Sequence, residues 1–316
     1  MGLSSQEIMY RTIIPFLAPV IKDIFMQINP DNFNYLEEIR LRCAQPLLLK
    51  TGAQEWAVNR QGGLEKNLAA GYVVCEEDIF RTLISISDNS LYAFEEEIRR
   101  GFITIPGGHR VGLAGQVLMA GGEVKTIKDF SSLSFRIARE VKDCSLPLLR
   151  HIYQHNMPGS TLLISAPRCG KTTILRDLAR NISAGNHWGP ACTLSVIDER
   201  SELAGSYRGR VQMDLGPRTD VLDACPKALG MMMAIRALGP QVIITDEIGR
   251  QEDIAALQEC INAGVTVIAS AHARDLSEAR KRPMLQEILA CGAFQTLITL
   301  SRRQGPGTVE EIIRWD

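Results

Sequence analysis

The run Ser165-Ala-Pro-Arg-Cys-Gly170-Lys171-Thr172-Thr173 follows the strand-like segment TLLI and opens an amphipathic stretch. A loop between a strand and a helix is the setting in which backbone N–H groups and a helix N-terminus cradle phosphates. In that setting Ser165, Ala166, Pro167, Arg168, Cys169 and Gly170 form the cradle and Lys171 reaches the β- and γ-phosphates. The Thr172 hydroxyl ligates Mg²⁺, and Thr173 contacts the α-phosphate. The spacing fits G-x-x-x-x-G-K-[ST] except at its first position, where Ser165 stands for glycine, so the entry to the loop is expected to be reshaped. Arg168 sits mid-loop, where a small residue would let the backbone approach phosphate more closely. It is expected either to project outward or to add a charge contact.

Three further apolar runs end in polar residues. QVIITDE reads as a buried parallel strand presenting Asp246 and Glu247 at its C-terminal end, the edge at which open α/β sheets bind ligands. Asp246 there suits the Mg²⁺ shell, and Glu247 suits polarising an attacking water; the plain alternative is a strand that merely ends in two exposed acids. TLSVID ends in Asp198-Glu199-Arg200. VTVIAS leads to His272, which at a strand end is placed to sense a γ-phosphate or relay a contact between subunits, against the plainer reading of a satisfied core or loop histidine. Met231-Met232-Met233 is helix-spaced packing for a core or subunit interface. Arg274, Arg280, Lys281 and Arg282 alternate with Asp275 and Glu278, which predicts a solvated helical face.

The elements that must position these groups alternate from about residue 141 onward between apolar strand and amphipathic helix, the pattern of an α/β domain with a buried parallel sheet. Its tail, LITLS, then GPG, then VEEIIRW, reads as a final hairpin. The N-terminal part is α+β. Ser4 with Glu7 is a capping box that opens a helical stretch interrupted near Pro15 and Pro19. EEIRLRCAQPLLLKT reads as strand, EEDIFRTLISIS and SLYAFEEEIRR as two helices, and FITI, HRVGLAGQVLM and EVKTIK as a meander turning on glycines. SFRIARE continues extended. The division is therefore 1–140 and 141–316.

Among 316 residues, 35 Lys and Arg meet 36 Asp and Glu, a net charge of −1, which removes the usual electrostatic footprint of a nucleic-acid binder. The eight cysteines are scattered, with no C-x-x-C pair, and read as reduced core residues. No apolar run approaches the ~18 residues of a membrane span, and the N-terminus lacks the basic start and apolar stretch of a leader. The expected location is cytoplasmic.

EEIRLR, SLYAFEEEIRRGFITIPGGHRVGLAGQV, VKTIKDFSSLSFRIARE, APRCGKTT, VIDERSELAG, DVLDACPKALGMMMAIRALGPQVIITDEIG and SRRQGPGTVE together resemble the stage III sporulation protein AA family. Those ATPases of endospore-forming bacteria are similar to the traffic ATPases of type II and type IV secretion and of pili. The resemblance implies a RecA-like P-loop ATPase domain with a mainly parallel sheet, preceded by a smaller α+β domain. It implies ATP and Mg²⁺ as ligands, Lys171 and Thr172 in Walker A, Asp246 and Glu247 in Walker B, Glu199 in an acidic box and His272 in a histidine box. The SFRIARE stretch resembles the one that carries N-domain arginines touching nucleotide phosphates, which makes Arg136 and Arg139 candidates. The family has glycine where this chain has Ser165 and Arg168.

The resemblance further implies a homo-oligomer, a hexameric ring, in the mother-cell cytoplasm, docked peripherally on membrane proteins of the stage III sporulation channel and binding no nucleic acid. Two other readings stand beside this Mg²⁺-dependent motor. One is a nucleotide-gated scaffold that barely hydrolyses, motivated by Ser165 and Arg168; the other is a RecA-like nucleic-acid motor, opposed by the neutral charge.

Overall fold

A computed structural model of the chain describes residues 4–52 and 54–315. Two compact units divide it, residues 1–139 and 140–316.

The first unit carries a seven-stranded antiparallel sheet of β1 (Leu36–Arg42), β2 (Leu48–Thr51), β3 (Gln54–Val58), β4 (Leu64–Glu65), β5 (Phe102–Ile105), β6 (His109–Ala120) and β7 (Glu123–Arg136), in the order β4-β3-β2-β1-β7-β6-β5. Period-two alternation sorts the side chains: His109, Val111 and Leu113 of β6 and Leu133 and Phe135 of β7 are buried, while Arg110, Gly112 and Ser134 between them are less so. Val111, Leu113, Leu133 and Phe135 share one apolar cluster with Ile21 and Phe25 of the helix Pro19–Gln27 and Ile79 and Leu83 of the helix Glu76–Ile86. The Ser4–Glu7 capping box forms, with the Ser4 N–H donating to Glu7 at 2.9 Å and the Glu7 N–H to Ser4 Oγ at 3.2 Å.

Local features depart from the sequence expectation for identifiable reasons. EEIRLRCAQPLLLKT is not one strand: Ala44 adopts φ +57° and Pro46 has no N–H for a ladder, so the chain turns and β1 pairs antiparallel with β2. SLYAFEEEIRR splits into a 3₁₀ turn, Leu91–Phe94, and a short α-helix, Glu95–Arg99, neither start being capped by a side chain. Of the cysteines, Cys169, Cys192 and Cys260 are buried, but Cys75 is exposed. Cys75 begins the helix Glu76–Ile86, where Asp78 accepts both its N–H at 3.0 Å and its thiol at 3.2 Å.

The second unit opens with a small pair, β8 (Tyr153–Gln154) and β9 (Met157–Pro158). Its main sheet holds β10 (Thr161–Ser165), β11 (Leu194–Asp198), β12 (Thr219–Asp223), β13 (Val242–Thr245), β14 (Thr266–His272), β15 (Thr296–Ser301) and β16 (Thr308–Arg314). The order is β12-β11-β13-β14-β10-β15-β16, parallel throughout except for β16. Every residue of β10, β11 and β13 is buried, which is why these segments read as unbroken apolar runs. The edge strand β12, TDVLD, escapes a hydrophobicity reading because it is only half-buried and carries two aspartates. In the helix Lys227–Ala237, Met231 is fully buried and Met233 exposed. Among the described residues no helix is long and apolar enough to cross a membrane.

That helix lies so close to β11 that a Cβ on Gly230 would come within 2.4 Å of Ile197 Cγ2, on a branched and fully buried side chain. Alanine's gain in helix propensity is about 1 kcal/mol, against about 1–3 kcal/mol for overpacking. Gly230→Ala should therefore lower stability in urea titration by up to about 2 kcal/mol.

Candidate active site

Parallel pairing brings the strand ends to one edge of the second sheet. Ser165, the last residue of β10, stands opposite His272, the last of β14, and Thr245 of β13 stands opposite both Ala269 of β14 and Ile197 of β11. Polar residues that follow these positions meet although they are up to about 100 residues apart in the chain.

The loop after β10 turns through Arg168 at φ +63° and Gly170 at φ +90° before the helix Lys171–Ala184 begins. Left-handed backbone is natural to Gly170 and strained at Arg168, whose side chain is exposed. A β15–β16 turn backs the loop: the Gly307 N–H donates to the Cys169 carbonyl at 2.8 Å, and a Cβ on Gly170 would lie 3.1 Å from Gly307 N. Ser165 is fully buried within β10, and its hydroxyl donates to the Ala166 carbonyl at 2.7 Å.

Lys171 is 6% exposed. Its ammonium donates to Ser165 Oγ at 3.0 Å, to the carbonyls of Ser165 and Ala166 at 3.3 and 3.4 Å, and to His272 Nδ1 at 3.1 Å. An ammonium only donates, so Nδ1 accepts and the ring proton sits on Nε2, which donates to Glu247 Oε1 at 2.9 Å. The other oxygen of Glu247 accepts from Arg200 Nη1 at 2.6 Å. Burial holds the Lys171 amine below the ordinary lysine value, with Glu247 and Asp246 opposing. Glu247 itself adopts φ +47°, its N–H held by Ser270 Oγ at 3.1 Å.

Asp246 is 1% exposed, and neither carboxylate oxygen has a hydrogen-bond partner among the described residues. Burial, aided by the charges of Asp198, Glu202 and Glu247, pushes its pKa up to about 7. Such a carboxylate fits a divalent cation that enters with phosphate. Mg²⁺ characteristically binds one or two protein carboxylates plus phosphate oxygens rather than an all-protein cage. No group of three or more His, Cys, Asp or Glu among the described residues forms such a cage. Thr172 and Thr173, in the first turn of the helix Lys171–Ala184, are half-buried.

Glu199 is engaged differently. Burial raises its pKa, but a bond from the buried Lys227 and a contact from Arg250 at 3.2 Å outweigh that and hold it below the usual carboxylate range. Arg136 ends β7 and is exposed, while Arg139 donates to the carbonyls of Phe33, Asn34 and Leu36, at 3.0 Å for Phe33 and 2.8 Å for Leu36. Both belong to the first unit. Residues that motif reading gave no role are Arg200, Lys227, Ser270 and Asp198, the last accepting the N–H groups of Glu202 and Ala204 at 2.8 Å each. Arg200 was visible only as the third letter of a polar strand end; Lys227 and Ser270 carry no local signal.

Residues 8–315 match the family described as sporulation stage III, protein AA. The stage III sporulation protein AA of Bacillus subtilis is 42% identical over 301 residues, 95% of this chain and 94% of that protein. The chain belongs to the stage III sporulation protein AA family. Its fold is similar to that of the Legionella pneumophila ATPase DotB, with TM-score 0.52 and 13% identity over 84% of this chain and 72% of the other. It is similar too to the pilus retraction motor PilT with bound ADP, with TM-score 0.51 and 13% identity over 91% and 77%. The fold is thus similar to that of an ATPase and of a pilus retraction motor.

A carboxyl whose pKa is raised on folding weakens the fold as pH climbs from its unfolded value, near 4, through its folded value. With Asp246 raised to about 7, the melting temperature of Asp246→Asn relative to wild type, without nucleotide or Mg²⁺, should rise from about pH 4 to about pH 7 and level off above that. A pH-independent difference between the two would contradict the assignment of that buried charge.

Proposed function

We propose that this chain is an Mg²⁺-dependent ATPase of the secretion-ATPase type that works in endospore formation. The observation that carries the reading is the bonded series from Lys171 through His272 to Glu247, which links a phosphate-binding loop to a strand-end carboxylate beside the buried Asp246. Family membership supports the sporulation setting, and the fold supports nucleotide use.

In this reading the loop N–H groups and Lys171 grip the β- and γ-phosphates, and Thr173 meets the α-phosphate. Thr172 and Asp246 would hold Mg²⁺, partly through water, and the cation would supply neutralisation of the charge on the phosphate oxygens. Glu247 orients a water and takes its proton as the water oxygen attacks the γ-phosphorus, and the bond to the ADP oxygen breaks. Glu199, with Lys227 and Arg250 fixing it, shapes the charge around the site, while His272 reports on the γ-phosphate. Arg136 and Arg139 remain the candidates for contributions from the first unit. Function as a hexameric ring in the mother-cell cytoplasm, docked on membrane proteins of the sporulation channel, completes the proposal.

A specific observation favours a second reading. Ser165 replaces a glycine and holds Lys171, and Arg168 strains the loop, features that suit a nucleotide-gated scaffold with little hydrolysis. Turnover under assembled conditions separates the two, since a ring ATPase draws catalytic groups from its neighbour.

Phosphate release and titration with a fluorescent nucleotide, at concentrations where light scattering reports assembly, test the motor. Glu247→Gln should bind nucleotide as wild type does while kcat falls about 10²-fold or more, the scale of a lost general base. Lys171→Ala should lose turnover through weakened phosphate binding as well. Equal kcat for wild type and Glu247→Gln would remove Glu247 from the reaction, and binding without turnover above Lys171→Ala would favour the scaffold.

A further inference from the structure

Glu247 does not stand free to orient water. Its two oxygens are divided between His272 Nε2 at 2.9 Å and Arg200 Nη1 at 2.6 Å, and its backbone is pinned in the left-handed region at φ +47°. Arg200 follows β11 at the end of TLSVID, two strands away from β14 across the sheet, and 53% of its side chain is exposed. This half-exposed arginine makes a charged bond to Glu247 Oε2. His272 has Lys171 on its other nitrogen, so the carboxylate, the imidazole and the loop ammonium are mutually restrained.

Resting on the ATPase reading, we propose that Arg200 is a positioning residue that restrains Glu247, and that His272 ties this restraint to the occupancy of Lys171. A γ-phosphate competes with Ser165 Oγ and His272 Nδ1 for the Lys171 ammonium. Once Lys171 turns to phosphate, His272 loses the donor that fixes its orientation, Glu247 keeps only the solvent-exposed Arg200, and the carboxylate can swing to water. Arg200 thus sets how much of the nucleotide-bound protein has a competent Glu247. It touches no reacting atom, and its influence appears in kcat rather than in KM. An exposed ion pair is weak, so the restraint is a partial one that salt screens.

The test compares kcat and KM for Mg²⁺-ATP in wild type, Arg200→Ala and Arg200→Lys, each at low and high NaCl. Removal of the arginine should raise kcat about two- to five-fold with KM little changed, the range an exposed pair allows. Added salt should raise wild-type kcat and leave Arg200→Ala unmoved, and Arg200→Lys should return toward wild type. A kcat at or below wild type in Arg200→Ala, or the same salt response in both, overturns the proposal. Should wild type show no turnover above Lys171→Ala, the ATPase reading fails, and the restraint is then decided by thermal unfolding of Arg200→Ala, Glu247→Gln and the double variant without nucleotide. Non-additive Tm shifts keep it; additive shifts end it.

Discussion

An ammonium and a carboxylate buried at the same sheet edge are the constraint on which the second unit turns. Lys171 and Asp246 are 6% and 1% exposed, and a charge taken out of water must find partners or lose its charge. Lys171 finds them in Ser165, Ala166 and His272; Asp246 finds none among the described residues, and its pKa rises. In the ATPase reading, a phosphate for the first and a divalent cation for the second would answer both at once, and burial that is unfavourable to the fold would become affinity for one class of ligand.

The strand order makes that economy possible. Placing β14 between β10 and β13 sets His272 beside the phosphate loop and within reach of Glu247, while β11 brings Asp198, Glu199 and Arg200 to the far side of the same edge. Ser165 fits this arrangement as the last fully buried residue of β10, where its hydroxyl has both an acceptor and a donor. The loop's departures from glycine are thus absorbed differently: Ser165 is integrated into a hydrogen-bonded cluster, whereas Arg168 retains a left-handed backbone with its side chain outside. The turn at Gly307 supports the loop from behind with a bond to Cys169.

Local structure is legible in the chain wherever its residues are contiguous. The loop between β10 and the helix Lys171–Ala184, the strand ends at Asp246 and His272 and the final hairpin each announce themselves through neighbouring residues. Boundaries failed where a turn overrode an apolar pattern, as at Ala44 and Pro46, or where an edge strand such as β12 carries too few apolar residues. The bonds among Lys171, His272, Glu247 and Arg200 were illegible for a different reason. They depend on crossovers that reorder β10, β11, β13 and β14 in space, and no spacing along the chain encodes that order. Lys227, whose partner Glu199 is set by the same crossovers, was invisible on the same ground.

The most direct measurement of the central claim, that the buried ammonium and carboxylate exist to receive a metal-bound phosphate, is a crystal structure with Mg²⁺ and a non-hydrolysable ATP analogue. Lys171 should leave His272 Nδ1 for a phosphate oxygen, and the cation should lie against the Asp246 side chain and the Thr172 hydroxyl. An analogue whose phosphates sit elsewhere, or one bound with Lys171 still on His272 and Asp246 still unengaged, would contradict the account.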